Sequence, residues 1–163
     1  MKIGIMSDSH DNLNNIKKAI QIFTENIVES VIHAGDLISP FCIPPFKSFK
    51  GRFYLCSGNN LGDTELIQEK ILEYGEFFID MGEFDLDNKK FALYHGTNTL
   101  ITNALLGSQK YDYVVIGHTH KTEVKEIEKT ILINPGETFG DLYGTASVAI
   151  LDTVDSSIKF HEL

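Results

Sequence analysis

The sequence predicts an α/β protein with two sheets packed face to face and helices on the outside. Three observations carry this. Strand and helix patterns alternate through the first half, which favours parallel pairing. The second half becomes a succession of short strands separated by turn residues. A chain of 163 residues, 42% of them hydrophobic, fills one core and leaves no room for another, so residues 1–163 read as a single domain.

Lys2–Met6 is a short apolar strand, stopped by the polar cluster Ser7-Asp8-Ser9-His10-Asp11-Asn12. Leu13, Ile16, Ala19, Ile20 and Phe23 then recur at helical spacing, with Asn12 placed as the cap. Ser30–His33 and Arg52–Cys56 are the next strands, ending in Ala34-Gly35-Asp36 and Ser57-Gly58-Asn59-Asn60. A helix follows with Leu66, Ile67, Ile71 and Tyr74 on one face and Gly75 as its expected stop. Residues 76–80 and 90–94 read as strands, with Asp87-Asn88 as a hairpin turn. A short helix carries Leu100, Ile101, Ala104 and Leu105 and closes at Gly107. Residues 113–116 form a strand ending in Gly117-His118-Thr119-His120. Residues 122–127, 130–133, 145–152 and 156–162 are expected to form an antiparallel meander. Segment 38–50 stands apart, with three of the four prolines and Phe41, Phe46 and Phe49. It is either an irregular connection packing its Phe side chains or, lying just after Asp36, the wall of a substrate pocket.

Charge narrows the function. Lys and Arg number 14 against 23 Asp and Glu, for a net charge of −9, and Arg52 is the single arginine. Nucleic-acid backbones are gripped by basic, Arg-rich stripes, because neutralised phosphates supply most of that affinity. No such stripe and no polybasic anchor is written here, which argues against bulk nucleic acid and membrane surfaces as partners. Assembly as a homo-oligomer stays open. The apolar run at the N-terminus is too short for a signal-peptide core. Cys42 and Cys56 make no disulfide framework and no CxxC spacing. A cytoplasmic protein with two buried thiols is expected.

Five predicted strands end in polar clusters: Asp8-Ser9-His10, Gly35-Asp36, Gly58-Asn59-Asn60, His95-Gly96-Thr97 and Gly117-His118-Thr119-His120. Ligands of open α/β sheets bind beyond the carboxyl ends of the strands, so the clusters should converge. Each motif alone is an ordinary turn or a chance pairing. Gly-His-x-His is the sharpest, expected in roughly one shuffled chain in sixty. Five in order, each at a strand end, are not coincidence. Imidazoles, carboxylates and an amide without a thiolate suit borderline divalent metals. Seven ligand groups exceed what one ion with an open position needs and fit two ions sharing a carboxylate, the clamp used for in-line displacement at phosphorus. His33 is expected to be buried behind this site, and His161 to be exposed.

The ordered set Asp8-x-His10, Gly35-Asp36, Gly58-Asn59-Asn60, His95 and Gly117-His118-x-His120 resembles the calcineurin-like metallophosphoesterase superfamily. The chain length and the Asn134-Pro135-Gly136 turn are similar to its small YfcE-type phosphodiesterase branch. The resemblance implies a four-layer α/β/β/α sandwich of two packed mixed sheets. It implies Asp8, His10 and His120 on one metal, Asn59, His95 and His118 on the other, and Asp36 bridging them. It also implies a phosphodiesterase that hydrolyses small phosphodiesters by in-line attack of a metal-bridging hydroxide, with Asp36, Asn60, His95 and His120 as the catalytic set. The expected cofactors are two divalent ions, Mn first, with Ni, Fe, Co, Zn or Mg as the other choices.

Two positions depart from the family pattern. Asn60 and Leu61 stand where relatives commonly have a phosphate-contacting His followed by an acid, with Asp63 two residues on as a substitute carboxylate. Thr97 stands where many have a second His. A phosphomonoesterase or nucleotide hydrolase with the same site remains an alternative. So, from a different class, does a non-catalytic scaffold of this fold such as the one in the retromer coat, for which damaged ligands would be expected.

Overall fold

The computed structural model describes residues 1–142 and 144–163. Sheet one has the order β11-β10-β1-β2-β3-β4. It is built from β1 (Lys2–Met6), β2 (Ser30–His33), β3 (Arg52–Cys56), β4 (Gly75–Phe78), β10 (Ser147–Asp152) and β11 (Ser157–Glu162). Strands β1 to β4 run parallel, and the β10–β11 hairpin joins β1 antiparallel. Sheet two has the order β5-β6-β7-β9-β8, from β5 (Met81–Leu86), β6 (Lys89–Tyr94), β7 (Tyr113–Val115), β8 (Thr122–Ile127) and β9 (Thr130–Pro135).

Strand alternation makes the layers. Ile3, Ile5, Ile32, Tyr54 and Cys56 point inward to meet Phe84, Phe91, Leu93, Tyr113 and Val115 of sheet two. A file of stacked rings runs through this seam, with Tyr54–Phe84, Phe84–Phe91 and Phe91–Tyr113 centroids 4.1, 5.5 and 5.0 Å apart. The opposite face of sheet one buries α1 (Leu13–Glu25) and α2 (Thr64–Ile71), and that of sheet two buries α3 (Thr99–Gly107). The result is the expected α/β/β/α layering, and Cys42 and Cys56 are free and buried.

Three expectations change. The meander is two separate hairpins: β8–β9 completes sheet two and β10–β11 completes sheet one. Strand β5 was not expected; in its alternation only Phe84 is a large buried side chain, so the apolar signal is thin. The Asp87-Asn88 turn therefore joins β5 to β6, both residues having positive φ as a two-residue hairpin requires. Gly75 does not stop α2, which ends at Ile71; it opens β4 instead.

His33, at the end of β2, is fully buried and lies edge-on to Phe46 and Phe53. Its Nδ1 accepts the Gly35 N–H at 3.3 Å, so Nε2 carries the proton and donates to Ser9 Oγ at 3.0 Å. Neutral His33 thus ties the loop after β1 to the loop after β2. Burial, opposed in part by Asp36, lowers its pKa to about 3. Below about pH 6.5 the unfolded chain binds a proton that the folded chain refuses until about pH 3, so stability falls on acidification by about 1.4 kcal/mol per pH unit from this group. Urea unfolding of the metal-stripped protein between pH 6 and pH 4 should show a flatter loss for His33→Gln than for the wild type. Parallel pH profiles would refute it.

Candidate metal centre

The carboxyl ends of β1, β2, β3, β6 and β7 meet at one edge of the sandwich, and their loops turn sharply. Asp8, His10, Asp36, His118 and His120 all have φ between 39° and 66°. Asp and His tolerate this left-handed region better than most residues, yet five such positions in one place hold strain that the surroundings must enforce. Gly58 is a steric requirement of the site, since a Cβ there would collide with the Asp36 carboxylate.

Each side chain is aimed by what it bonds on its far side. Asp8 Oδ2 accepts from Ser7 Oγ at 2.6 Å and from the His118 N–H at 2.9 Å. Its other oxygen, Oδ1, is buried without a hydrogen-bond partner. Around that oxygen lie His120 Nε2 at 3.4 Å, His95 Nε2 at 3.8 Å and His10 Nε2 at 3.9 Å. His10 Nε2 is likewise buried and unpartnered. His95 Nδ1 faces the Ala34 carbonyl at 2.7 Å, which makes Nδ1 the donor and turns Nε2 toward Asn59 Oδ1 at 3.0 Å and Asp36 Oδ2 at 3.5 Å. Asp36 Oδ2 also lies 3.6 Å from His10 Nε2. Asp36 is held by Asn60, whose backbone N–H and side-chain amide donate to its two oxygens at 2.9 and 2.5 Å.

The electrostatics follow. Burial raises the pKa of Asp8, against the pull of His95 and other donors. Burial also acts upward on Asp36, but the bond and charge of His95 and the two bonds from Asn60 outweigh it and hold the carboxyl well below its ordinary range. Burial acts downward on His95, and Asp36, Asp8 and the Ala34 carbonyl reverse it, raising the pKa. Carboxylate and amide oxygens of Asp8, Asp36 and Asn59 and the Nε2 atoms of His10, His95 and His120 thus crowd one another across short gaps. A proton on His95 relieves part of this, and a cation between the groups would relieve the rest.

Among the described residues, two groups are close enough to hold an ion: Asp8, His10 and His120, and Asp8, Asp36 and His95. The orphaned Asp8 Oδ1 and His10 Nε2 fit that use. The expected ligands Asn59 and His118 sit at the mouth, His118 exposed with its ring centroid 5.2 Å from that of His95. The remaining candidates separate. Asp63 Oδ1 caps α2 by accepting from the Leu66 N–H at 3.1 Å, so this carboxylate has a structural task. Thr97 Oγ1 lies 2.8 Å from Tyr94 Oη. His161 is half-buried rather than exposed, and lines a cleft beside His120.

Sequence reading missed Glu137. Its carboxylate is fully buried and accepts from His120 Nδ1 at 2.7 Å, leaving Nε2 as the lone pair facing Asp8. Residues 137–139 are seated on the loop after β1, with the Thr138 and Phe139 N–H groups donating to the Ser7 and Asp8 carbonyls at 2.8 and 3.0 Å. The Asn134-Pro135-Gly136 turn delivers them there, and the Asn134 amide braces Gly117 and Thr119. The signal was available only as an acid following that turn.

A family model described as a calcineurin-like phosphoesterase superfamily domain matches residues 1–156. The chain belongs to that superfamily. It is 41% identical over 155 residues to phosphodiesterase MJ0936 of Methanocaldococcus jannaschii, covering 94% of this chain and 93% of that protein. The solved structure of an archaeal phosphodiesterase superposes with a TM-score of 0.95 at 38% identity over the whole of both chains. The phosphoesterase Yfce of E. coli shares the fold, with a TM-score of 0.70 at 18% identity, over 100% of this chain and 98% of that one.

Carboxylate partners of metal-bound imidazoles typically contribute 10–100-fold to metal affinity. Glu137→Ala should therefore weaken Mn binding to the stripped protein by about that factor, with Glu137→Gln falling between it and the wild type. Calorimetric titration reads this directly; wild-type affinity in a folded Glu137→Ala variant would remove the role.

Proposed function

We propose that this chain is a metal-dependent phosphodiesterase acting on small phosphodiesters at a dinuclear centre. The observation that carries it is Asp36 Oδ2, lying 3.6 Å from His10 Nε2 and 3.5 Å from His95 Nε2, between the two halves of the cluster. Asp8, His10 and His120 would hold one divalent ion, Asn59, His95 and His118 the other, and Asp36 both, with Mn the first choice. When bound, such ions supply Lewis acidity toward phosphoryl oxygens and lower the pKa of coordinated water toward neutrality. The 41% identity to a phosphodiesterase supports the reaction class.

The chain's own residues set the rest. His95 and His120 are fixed as Nε2 ligands by the Ala34 carbonyl and by Glu137. Asn60 bonds both oxygens of Asp36 and so holds the shared ligand in position. Its amide can also donate to a phosphoryl oxygen, but it cannot protonate a departing alkoxide. Exposed Leu61 and the capping Asp63 leave that task unfilled. The acidic body, with a net charge of −9 and one arginine, repels polyanions, so attraction of a small anionic substrate would rest on the charge held by the residues of the centre when loaded. No helix among the described residues is long and apolar enough to cross a membrane.

Metal analysis after reloading should find two ions per chain, and Asp36→Asn should weaken both; one ion at saturation would refute the dinuclear centre. A chromogenic diaryl phosphodiester should be hydrolysed only with added metal, and far faster than long DNA or RNA at physiological salt. Because general-acid help is typically worth about 10²–10⁴-fold, alkyl diesters should lag aryl ones steeply, and Asn60→His should narrow the gap. Equal alkyl and aryl rates under chemistry-limited conditions would mean that another group supplies the proton.

A further inference from the structure

The segment 38–50 is left unexplained by the metal centre, and its position gives it a use. It leaves the centre directly: Ile38 is two residues beyond Asp36, and the opposite wall begins at Gly62, two residues beyond Asn60. Between them runs a groove of about 520 Å³ whose apolar lining is Ile38, Pro40, Phe41, Pro44 and Leu66. That volume lies within the range of small-molecule sites, about 300–1,000 Å³. Phe41 is 82% exposed and Leu61, at the joint with the centre, is 65% exposed.

The groove is built rather than incidental. Ile38 has φ +74°, a conformation that a β-branched residue adopts only when the surroundings enforce it, and such strain gathers at ligand sites. What enforces it is visible on both sides. Gly62 lies against the Ile38 carbonyl so closely that a Cβ would collide with it. Asp11 Oδ1, one residue past His10, accepts from the Ser39 N–H at 2.8 Å and from Cys42 Sγ at 3.4 Å. Pro40 opens a helical turn capped by Ser39, and Pro44 and Pro45 open the next, so the wall loses little freedom when a ligand arrives.

We propose that this groove is the leaving-group subsite of the metal centre and that it takes a flat aromatic ester group. The proposal rests on the hydrolase reading above and deepens it. Two independent features agree on the occupant. A side wall of proline faces and an exposed phenyl ring suits a planar ring, which stacks on such surfaces. The chemistry favours the same kind of group, because Asn60 beside the centre cannot protonate a leaving oxygen, Asp63 is engaged as the cap of α2 and Lys70 lies on the far wall of the groove, whereas an aryloxide departs without that help.

The test uses two diesters whose leaving phenols are of similar acidity, methyl naphthyl phosphate and methyl 4-chlorophenyl phosphate, with the Mn-loaded protein. The wild type should favour the naphthyl ester in kcat/KM. Phe41→Ala and Leu66→Ser should cut that preference about tenfold or more, through KM rather than kcat. Binding is read separately by calorimetry with naphthylphosphonate and octylphosphonate, which carry no ester bond to hydrolyse. The naphthyl compound should bind more tightly, and Phe41→Ala should abolish the difference. Turnover with a preference that neither variant changes would overturn the groove while leaving the hydrolase intact. Equal or tighter octyl binding would overturn the aromatic occupant. Absence of turnover with any metal, alongside naphthyl binding lost in Phe41→Ala, would overturn the hydrolase reading and leave the groove as a binding site.

Discussion

Everything at the site depends on one asymmetry in the Asp8 carboxylate. One oxygen is saturated by Ser7 Oγ and the His118 N–H; the other is buried and has no partner. The saturated side joins the two sheets, because Asp8 follows β1 of one and His118 follows β7 of the other. The unsaturated side faces three imidazole nitrogens within 3.9 Å. A buried acceptor left unmatched costs about 1–3 kcal/mol, more when charged. The fold therefore holds in place an arrangement that is unfavourable until a cation completes it.

That cost explains why the supports are so numerous. Neutral His33 ties the loop after β1 to that after β2, Asn60 fixes Asp36, Glu137 fixes His120, and the Asn134 turn braces the loop of His118 and His120. Each braces a candidate ligand or the loop that carries one, and each does so through a bond to a residue at least 17 positions away in sequence. Left-handed backbone at five of the expected ligand positions needs this surrounding frame to persist. Rigidity here has a use, since ligands already oriented need little rearrangement when an ion arrives.

The strands were legible because alternation and length made them so, and the five polar clusters were legible because each interrupts an apolar run. Lys2–Met6, Ser30–His33 and Arg52–Cys56 could be bounded to the residue, since all three are short buried strands with a polar cluster immediately behind. Strand β5 hid because only Phe84 among its inward residues is a large apolar one. The allocation of the two late hairpins to different sheets was not readable: both alternate alike, and only packing across the sandwich decides between them. Glu137 hid for a different reason. A lone acid after a turn has no local mark, and its meaning lies in His120, 17 residues away, reached only by the fold.

The departure at Asn60 and the groove beside it belong together physically. A histidine there would offer a proton and relax the demand on the leaving group; an amide keeps the geometry of Asp36 and gives up the acid. Loss of a general acid is tolerable only where the departing oxygen is already a weak base. Selection of such a substrate would then fall to binding, and the adjoining wall is largely apolar, proline-stiffened and tied to the loop after β1 through Asp11. On the proposed reading, the amide at position 60 and the apolar wall would constrain the substrate from two sides, one through the barrier and one through recognition, and they point to the same kind of molecule.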